Sequence, residues 1–353
     1  MCTNKDTLYM LRAIQLAHLG AGAVNPNPMV GALLVYNDRV ISESWHEKFG
    51  SYHAERLAIE KVLNEYSTSN HVLQNSTLYV TLEPCNQYGK TPPCTEIIIK
   101  HKIPKVIIGQ IDTNPIITNQ GIETLKKAGI NTQVCEIGNK CYQLNRYYNT
   151  FNAKKRPYII IKWSQSANLY ITDKINTRSQ ITDDYTTIIQ HKYRAAIDGI
   201  LIGYKTAIID NPLLNTRFWP GKSPTRIVID RTLSLPKTLN IFNRDGKVII
   251  FNNIKTLKKN NIHYIKINCD SLNICNEILE KLYLLNLQSI IIEGGAATIN
   301  LFKNANLWDE MHVYTSPKII NEGLRAPLKP NIQHLTSQTK LLTDYLEVYR
   351  NIL

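Results

Sequence analysis

The chain has 353 residues, of which 43% are hydrophobic and 20% charged. This composition is ordinary for a globular protein of about two domains, and it argues against a disordered, fibrous or membrane protein, since no apolar run approaches the roughly 20 residues of a spanning helix. Lys and Arg exceed Asp and Glu by 41 to 28, a net charge of +13. The basic residues are dispersed, which indicates compositional drift or small anionic ligands rather than nucleic acid. The N-terminus lacks the apolar core of a secretory signal, so we expect a cytoplasmic protein.

Short strands alternate with helices over the first 150 residues. Apolar residues at helical spacing predict helices over residues 8–19, 54–63, 95–101 and 121–128. Runs of β-forming residues predict strands over 30–35, 40–44, 76–82 and 105–110, with a hairpin turn at Asn37 and Asp38.

The segment 145–157 has no apolar period and ends in a proline, so it predicts an exposed connection between two domains, 1–147 and 156–353. Beyond it, strands are predicted over 158–162, 200–203, 226–230, 248–251, 289–293 and 311–314, and helices over 183–196, 272–285 and 296–304. Strands and helices that alternate in this way favour an α/β fold with a mostly parallel sheet.

The seven cysteines do not form a disulfide pattern. The count is odd, the chain has no Cys-x-x-Cys, and no secretory signal precedes them. Most of these thiols are expected to be inert, so a functional pair must be chosen by its neighbours.

The strongest chemical signal combines His53, Glu55, Cys85 and Cys94. One histidine and two cysteines suit a tetrahedral zinc ion whose fourth position holds water, and such a zinc lowers the pKa of that water to about 7. Glu55 begins a predicted helix two residues after His53, where it could move the proton of that water to a leaving amine. The signature is similar to that of zinc nucleobase deaminases, but the two cysteines lie farther apart here.

Longer stretches carry a family resemblance over nearly the whole chain. Residues 25–31 read NPNPMVG, residues 81–94 read TLEPCNQYGKTPPC, and Trp45-His46 precedes the motif at His53. These stretches resemble the bifunctional riboflavin-biosynthesis deaminase/reductase family. The resemblance implies a cytidine-deaminase-like domain followed by a dihydrofolate-reductase-like domain. The first would deaminate 2,5-diamino-6-(5-phosphoribosylamino)pyrimidin-4-one, and the second would reduce the ribosyl chain to ribityl with NADPH.

The resemblance also implies roles for individual residues. His53, Cys85 and Cys94 match the ligands of one zinc ion per chain, and Glu55 matches the proton shuttle. Substrate contacts are implied for the pyrimidine-pocket residues Asn27 and His46. The sequence departs from the family at Gln87 and Tyr88, where two histidines are usual.

In the second half, Glu293-Gly294-Gly295 ends a predicted strand and leads into a predicted helix. A glycine turn before a helix N-terminus can bind a phosphate, but the same residues can also form a simple strand-to-helix turn. The segment 206–212 reads on its own as the end of a strand followed by a loop. The resemblance implies NADPH contacts at Ser164, Gln180, Thr206, Asp210 and Gly295. It implies substrate contacts at Arg178, Arg194, Leu214, Arg217 and Glu293. The family's Ser-Leu-Asp-Gly stretch appears here as Ser166-Ala167-Asn168-Leu169.

Three other interpretations stay open at this stage. The C-terminal domain could be a non-catalytic binding module, the charge could serve a nucleic-acid deaminase, or the zinc site could be non-enzymatic. We expect a phosphorylated pyrimidine as the partner, with no nucleic acid and no membrane, and a homo-oligomer is left open.

Overall fold

The computed structural model describes residues 3–173, 179–242 and 246–351. The chain divides into two compact units, Met1–Lys155 (unit 1) and Arg156–Leu353 (unit 2). Cys2 and the predicted substrate residue Arg178 lie outside the described residues. Within the described ranges, no helix has both the length and the apolar character needed to cross a membrane.

The described part of unit 1 contains one five-stranded sheet with helices packed around it. The strands are β1 (Gly31–Tyr36), β2 (Arg39–Trp45), β3 (Thr77–Val80), β4 (Lys105–Ile108) and β5 (Asn131–Val134), in the spatial order β2-β1-β3-β4-β5. The helices are α1 (Asn4–Ala17), α2 (Ala54–Glu65), α3 (Ser69–Leu73), α4 (Cys94–Lys100), α5 (Gln120–Lys127), α6 (Gly138–Leu144) and α7 (Arg146–Lys154).

The sheet of unit 1 changes direction at β1. This strand pairs antiparallel with both β2 and β3, whereas β3, β4 and β5 are parallel. The β1–β2 hairpin turns at Asn37 and Asp38, as predicted, and both residues have the positive φ that a tight hairpin turn requires. Helices α2 and α4 bury Ala58, Ile59 and Ile98 against the sheet, which fixes the first turn of each helix near the end of β3.

The prediction of an exposed connection over 145–157 is wrong. Helix α7 occupies most of this segment and buries Tyr148 and Phe151. Asn149 is fully buried, where it accepts a hydrogen bond of 2.9 Å from the Gln110 side chain. The apolar period is absent from the sequence because aromatic rings and a buried polar network, rather than aliphatic residues, hold this helix.

The described part of unit 2 is built on a ten-stranded sheet in the spatial order β10-β11-β9-β8-β7-β12-β6-β13-β15-β14. Its strands are β6 (Tyr158–Ser166), β7 (Gly199–Gly203), β8 (Thr225–Ile229), β9 (Val248–Asn252), β10 (Leu257–Lys259), β11 (Ile262–Lys266), β12 (Ser289–Gly294), β13 (Glu310–Ser316), β14 (Leu335–Leu341) and β15 (Asp344–Arg350). Its helices are α8 (Asp184–Ala195), α9 (Tyr204–Asp210), α10 (Ile274–Leu284) and α11 (Ala296–Asn304).

The seven strands from β11 to β13 are parallel, as the alternating pattern predicts. The five central strands β9, β8, β7, β12 and β6 are rich in isoleucine and mostly buried, which is typical of a parallel sheet covered by helices. Because parallel strands all point the same way, the carboxyl ends of β6, β7, β8 and β12 meet at one edge of the sheet. Polar residues that follow these strands therefore converge at that edge.

Two parts of unit 2 differ from the sequence predictions. Residues 204–210 form helix α9, not the end of a strand, and this helix ends at Asn211 in the left-handed conformation. The hairpin β14–β15 was not predicted, because β14 is mostly exposed and polar and therefore lacks an apolar pattern. The α/β class is confirmed, since helices alternate with the strands of both sheets.

Candidate functional site

The three predicted zinc ligands of unit 1 lie together. His53 is the residue before α2, Cys94 is the first residue of α4, and Cys85 lies in the loop after β3. The Nδ1 atom of His53 lies 3.4 Å from Sγ of Cys85 and 3.5 Å from Sγ of Cys94, and all three ligand atoms lie within 4.8 Å of one another.

The cluster fits a tetrahedral zinc ion. Zinc bonds of about 2.3 Å to sulfur and 2.0 Å to nitrogen put the two kinds of ligand atom about 3.5 Å apart at the tetrahedral angle. The observed separations match that spacing. The donor set of one imidazole and two thiols is also the one that zinc prefers, so the residues present fit the metal.

The sulfur of Cys85 is prepared to be a thiolate. It accepts a hydrogen bond of 3.3 Å from the backbone N–H of Cys94. The hydrogen bond from the Cys94 thiol, followed by that from His53, lowers the pKa of Cys85 to about 4 against the opposing effect of burial. A metal ligand of this kind must be deprotonated, and Cys85 meets this requirement. The hydrogen bond to Cys85 and burial raise the pKa of Cys94, so this thiol has to lose its proton when zinc binds.

Glu55 lies in the first turn of α2 and its side chain is 97% buried. Burial raises the pKa of Glu55 to about 7. A carboxyl with a pKa near neutrality can both take and return a proton, as a general acid–base residue requires. The structure places it within hydrogen-bond reach of Cys94.

The predicted substrate residues Asn27 and His46 adjoin the zinc cluster. The His46 ring packs edge-on against His53, with ring centroids 5.3 Å apart. His46 Nδ1 lies 3.1 Å from the carbonyl of Tyr52, so Nδ1 carries the proton and Nε2 accepts from the Asn27 amide at 3.1 Å. These two hydrogen bonds fix the tautomer of His46, and the His46 ring in turn orients the side-chain amide of Asn27.

Glu83 is a residue that the sequence motif contained but whose role the motif did not reveal. Its buried carboxylate accepts four backbone hydrogen bonds, from Asp112, Asn119, Gly121 and Ile122. A Cβ at Gly121 would lie 2.0 Å from the carbonyl of Pro84, so only glycine allows this approach. Glu83 therefore ties the loop after β4 to the start of the zinc loop.

The zinc loop departs from the family at Gln87 and Tyr88. Gln87 donates a hydrogen bond of 3.0 Å to the carbonyl of Ile116, which lies before α5. Tyr88 is exposed. Neither side chain is a ligand of the cluster, so the departure leaves the metal geometry intact.

In unit 2, a cavity of about 1410 Å³ lies at the carboxyl ends of the central strands. The predicted cofactor residues converge on it, although they come from four separate segments of the chain: Ser164, Gln180, Thr206 with Asp210, and Gly295. The predicted substrate residues Arg194, Leu214, Arg217 and Glu293 line the same cavity. The structure thus brings together every predicted residue of unit 2 that it describes.

The centre of this cavity holds a buried charge cluster. Arg194 donates to both carboxylate oxygens of Glu293, at 3.0 and 2.6 Å. Burial alone would raise the pKa of Glu293, but Arg194 and Lys162 lower it to about 2. The charge of Arg194 is therefore compensated within the protein by Glu293.

Lys162 and His191 are site residues that the sequence did not reveal. Lys162 lies within β6 and is 8% exposed, and its Nζ donates to the Gln190 side chain at 2.9 Å. Burial lowers the pKa of Lys162. Burial and the neighbouring arginines lower the pKa of His191 to about 4, and its Nδ1 accepts from the backbone N–H of Arg217 at 3.1 Å. The sequence feature that could have identified Lys162 is its position as a lysine directly after the apolar residues of β6.

The departures at Asn168 and Leu169 have structural consequences. The Asn168 amide pairs reciprocally with the backbone of Ile320, donating at 2.7 Å and accepting at 3.1 Å, which an ionised aspartate could not do. Leu169 has a φ of 68°, the left-handed conformation that glycine adopts without cost. The leucine at position 169, where the family has glycine, therefore strains the backbone.

Comparisons with known proteins cover both units. Residues 3–110 match the cytidine and deoxycytidylate deaminase zinc-binding region, and residues 157–345 match the RibD C-terminal domain. The chain is 32% identical to the riboflavin biosynthesis protein RibD of Aquifex aeolicus, over 92% of this chain and 90% of that one. It is 31% identical to RibD of Actinobacillus pleuropneumoniae, over 96% and 91% of the two chains.

A solved structure is similar over both units. It is a diaminohydroxyphosphoribosylaminopyrimidine deaminase/5-amino-6-(5-phosphoribosylamino)uracil reductase from Thermotoga maritima, with a TM-score of 0.88, 30% identity and 98% of each chain covered. The chain therefore belongs to the RibD family of riboflavin-biosynthesis proteins, as a bifunctional enzyme with a zinc-binding deaminase region and a reductase domain.

Proposed function

We propose that unit 1 hydrolyses the amino group of 2,5-diamino-6-(5-phosphoribosylamino)pyrimidin-4-one and that unit 2 reduces the ribosyl chain of the product to ribityl with NADPH. The observation that carries the first step is the set of His53, Cys85 and Cys94 at tetrahedral spacing beside buried Glu55. For the second step, the support is the cavity on which the predicted cofactor and substrate residues converge.

The deamination needs one proton to move from water to the leaving amine. Zinc, when bound, supplies a water of lowered pKa as the nucleophile at neutral pH. Glu55 takes the proton that the water loses when the water oxygen bonds to the ring carbon. Glu55 then delivers that proton to the amine nitrogen, the C–N bond breaks, and ammonia leaves. Asn27 and His46, held by their mutual hydrogen bond, position the pyrimidine ring beside the cluster.

The reduction needs a hydride at the sugar carbon C1′ and a proton at the ring oxygen O4′. NADPH, when bound, supplies the hydride. The C1′–O4′ bond breaks as C1′ gains the hydride, and O4′ takes the proton. We assign the proton to the ammonium of Lys162, because burial makes this group a stronger acid than an exposed lysine and because it lines the cavity beside Glu293.

The phosphate of the substrate is assigned to Arg217 together with Arg194. The Arg217 side chain packs over the Phe218 ring at the cavity wall, whereas Arg194 is already paired with Glu293. Guanidinium groups suit this role because they can bind phosphate through two parallel hydrogen bonds.

The experiment incubates zinc-loaded protein with the diaminopyrimidine ribotide, with and without NADPH, and identifies the products by mass. Without NADPH, we expect the amino group to be exchanged for oxygen. With NADPH, we expect that product to gain two hydrogens. Deamination without any reduction would instead favour a non-catalytic C-terminal module.

The dispersed basic residues support small anionic ligands, rather than nucleic acid, as the partners of this enzyme. Salt-sensitive, tight binding of a transfer RNA at physiological ionic strength would contradict this. The cytoplasmic location and the oligomeric state stay predictions.

A further inference from the structure

His191 of α8 lines the cavity of unit 2 and is 1% exposed. Its ring packs edge-on against the Phe218 ring, with centroids 4.9 Å apart. The Arg217 guanidinium packs over the same Phe218 ring, 4.7 Å from its centroid, and Arg194 lies one helical turn after His191 on α8. His191 therefore adjoins both arginines to which the phosphate of the substrate is assigned.

The hydrogen bonds of His191 determine which ring nitrogen carries the proton. Nδ1 lies 3.1 Å from the backbone nitrogen of Arg217, and because a backbone N–H can only donate, Nδ1 accepts. Burial, together with Arg194 and Arg217, lowers the pKa of His191 to about 4, so the ring is neutral near pH 7. A neutral imidazole carries one proton, and this proton therefore lies on Nε2.

The hydrogen on Nε2 has no acceptor among the residues that the structure describes. The polar atom beside Nε2 is Nη1 of Arg194, at 3.4 Å, and a guanidinium nitrogen can only donate. Glu293 accepts from Nε and Nη2 of Arg194, so Nη1 is left between the His191 ring and the carbonyl of Asn215, at 3.5 Å. Two donors at this separation can share one acceptor oxygen, and a buried donor that lacks an acceptor costs free energy that a ligand oxygen would restore.

The charges around His191 favour an anionic ligand group. The charged side chains that act on its ring are Arg194, Arg217 and Lys162, against one carboxylate, that of Glu293. Arg194 and Glu293 compensate each other, so the positive charges of Arg217 and Lys162 remain. A phosphate monoester carries about two negative charges near neutral pH and offers three acceptor oxygens, which match both the charge and the two donors.

We propose that His191 binds the phosphate of the ribotide directly, by donating its Nε2–H to a phosphate oxygen that also accepts from Nη1 of Arg194. The proposal rests on the proposed reduction of a phosphorylated sugar in this cavity. The two nitrogens of the ring have separate roles, since Nδ1 holds the backbone of Arg217 and Nε2 binds the substrate.

The test measures NADPH-dependent reduction of the deaminated ribotide and of the same compound without its phosphate, with the full-length protein. His191→Asn keeps an acceptor near the place of Nδ1 but has no group at the place of Nε2. It should lower kcat/KM for the ribotide by about 10-fold to 100-fold, mainly through KM, the loss expected for a hydrogen bond to a charged group. For the compound without phosphate, kcat/KM should change less than about threefold.

A second variant and a control separate binding from folding. His191→Gln carries an amide nitrogen at about the distance of Nε2 from the backbone, so kcat/KM for the ribotide should stay within about fivefold of the parent value. His263→Asn changes a histidine of β11 that does not line the cavity, and it should affect neither compound. The unfolding temperature of each variant is measured. If His191→Asn does not fold, a loss of more than about tenfold for the ribotide in folded His191→Gln contradicts the proposal.

Three results would overturn the assignment. A parent-like kcat/KM for the ribotide in His191→Asn would show that His191 only holds Arg217. Equal losses with the two compounds would place the effect of His191 in the shape of the cavity, and a loss in His191→Gln as large as that in His191→Asn would remove the Nε2 contact. In these cases the proposed reduction stands, whereas a folded parent protein that reduces neither compound would refute the proposed reduction together with this inference.

Discussion

The zinc cluster of unit 1 and the cavity of unit 2 are built in different ways. In unit 1, the ligands lie at the first turns of two helices and in one loop, and their atoms are within 4.8 Å of one another. In unit 2, the lining residues follow separate strands and meet only because the strands are parallel. A site concentrated in short motifs can be identified from sequence, whereas a site made by sheet topology needs the fold.

The same contrast predicts how each site responds to substitutions. A few residues carry the chemistry of unit 1, so single substitutions should abolish it and leave unit 2 intact. The site of unit 2 combines many contacts with one buried charge cluster, so substitutions there should affect stability as well as activity.

The largest effect is expected for Cys94→Ser. Loss of one of three protein ligands should remove most of the zinc and with it the deamination, because thiolate ligands dominate the affinity. Metal content per chain, measured after dialysis, checks this. Cys135→Ala removes a buried thiol of the same unit away from the cluster and should keep the zinc. Full zinc retention in Cys94→Ser would remove Cys94 from the site.

Glu55→Gln should lower the deamination rate by about 10²–10⁴-fold, the usual contribution of a general acid–base group. Zinc content and NADPH-dependent reduction of supplied deaminated substrate should both survive. Glu96→Gln changes an exposed glutamate in the first turn of α4 and serves as the matched control. A parent-like deamination rate in Glu55→Gln would show that another group moves the proton.

Glu293→Gln should lower the free energy of unfolding of unit 2 by about 3 kcal/mol, because it leaves Arg194 buried without its partner. Asp270→Asn breaks an exposed ion pair and should cost less than about 1 kcal/mol. Denaturant unfolding followed through the buried Trp163 and Trp308 measures both. Equal losses in the two variants would contradict the described charge cluster.

The same variants give a test by pH. The pKa of Glu293 falls from its usual value of 4.5 to about 2 on folding, so its ionised form stabilises unit 2 above pH 4.5, and this contribution is lost as the pH falls towards 2. As the pH is lowered from 4.5 to about 2, the free energy of unfolding should fall less steeply in Glu293→Gln than in the parent protein. Parallel profiles over that range would show that Glu293 is not coupled to folding.

The smallest effect concerns Leu169. Its positive φ costs about 1–2 kcal/mol for a side chain other than glycine, so Leu169→Gly should raise the free energy of unfolding by up to about 1 kcal/mol after the added chain entropy is deducted. Leu284→Gly, at an exposed position of α10, should lower it by about 1 kcal/mol. Destabilisation by both changes would mean that Leu169 contributes packing that outweighs its backbone strain.

The sequence predicted that His53, Cys85 and Cys94 lie together, because each of them stands in a recognisable local motif. It predicted most central strands of unit 2 because short runs rich in isoleucine, a β-branched residue, favour buried strands. Helix α7 was missed because its buried face carries Tyr148, Asn149 and Phe151 instead of a repeating aliphatic pattern. The pairing of Arg194 with Glu293 was also missed, since the two residues are 99 positions apart and meet only across the sheet.

The central claim is that one chain holds two separable chemical sites, and a mixing experiment tests it most directly. The ribotide, zinc and NADPH are supplied to Glu55→Gln alone, to Lys162→Met alone and to their mixture, and the products are identified by mass. We expect unchanged ribotide with the first variant, accumulated deaminated ribotide with the second, and the deaminated ribityl product with the mixture. Failure of the mixture, with both variants folded, would contradict the account, and reduction by Lys162→Met alone would contradict the assignment of the proton to Lys162.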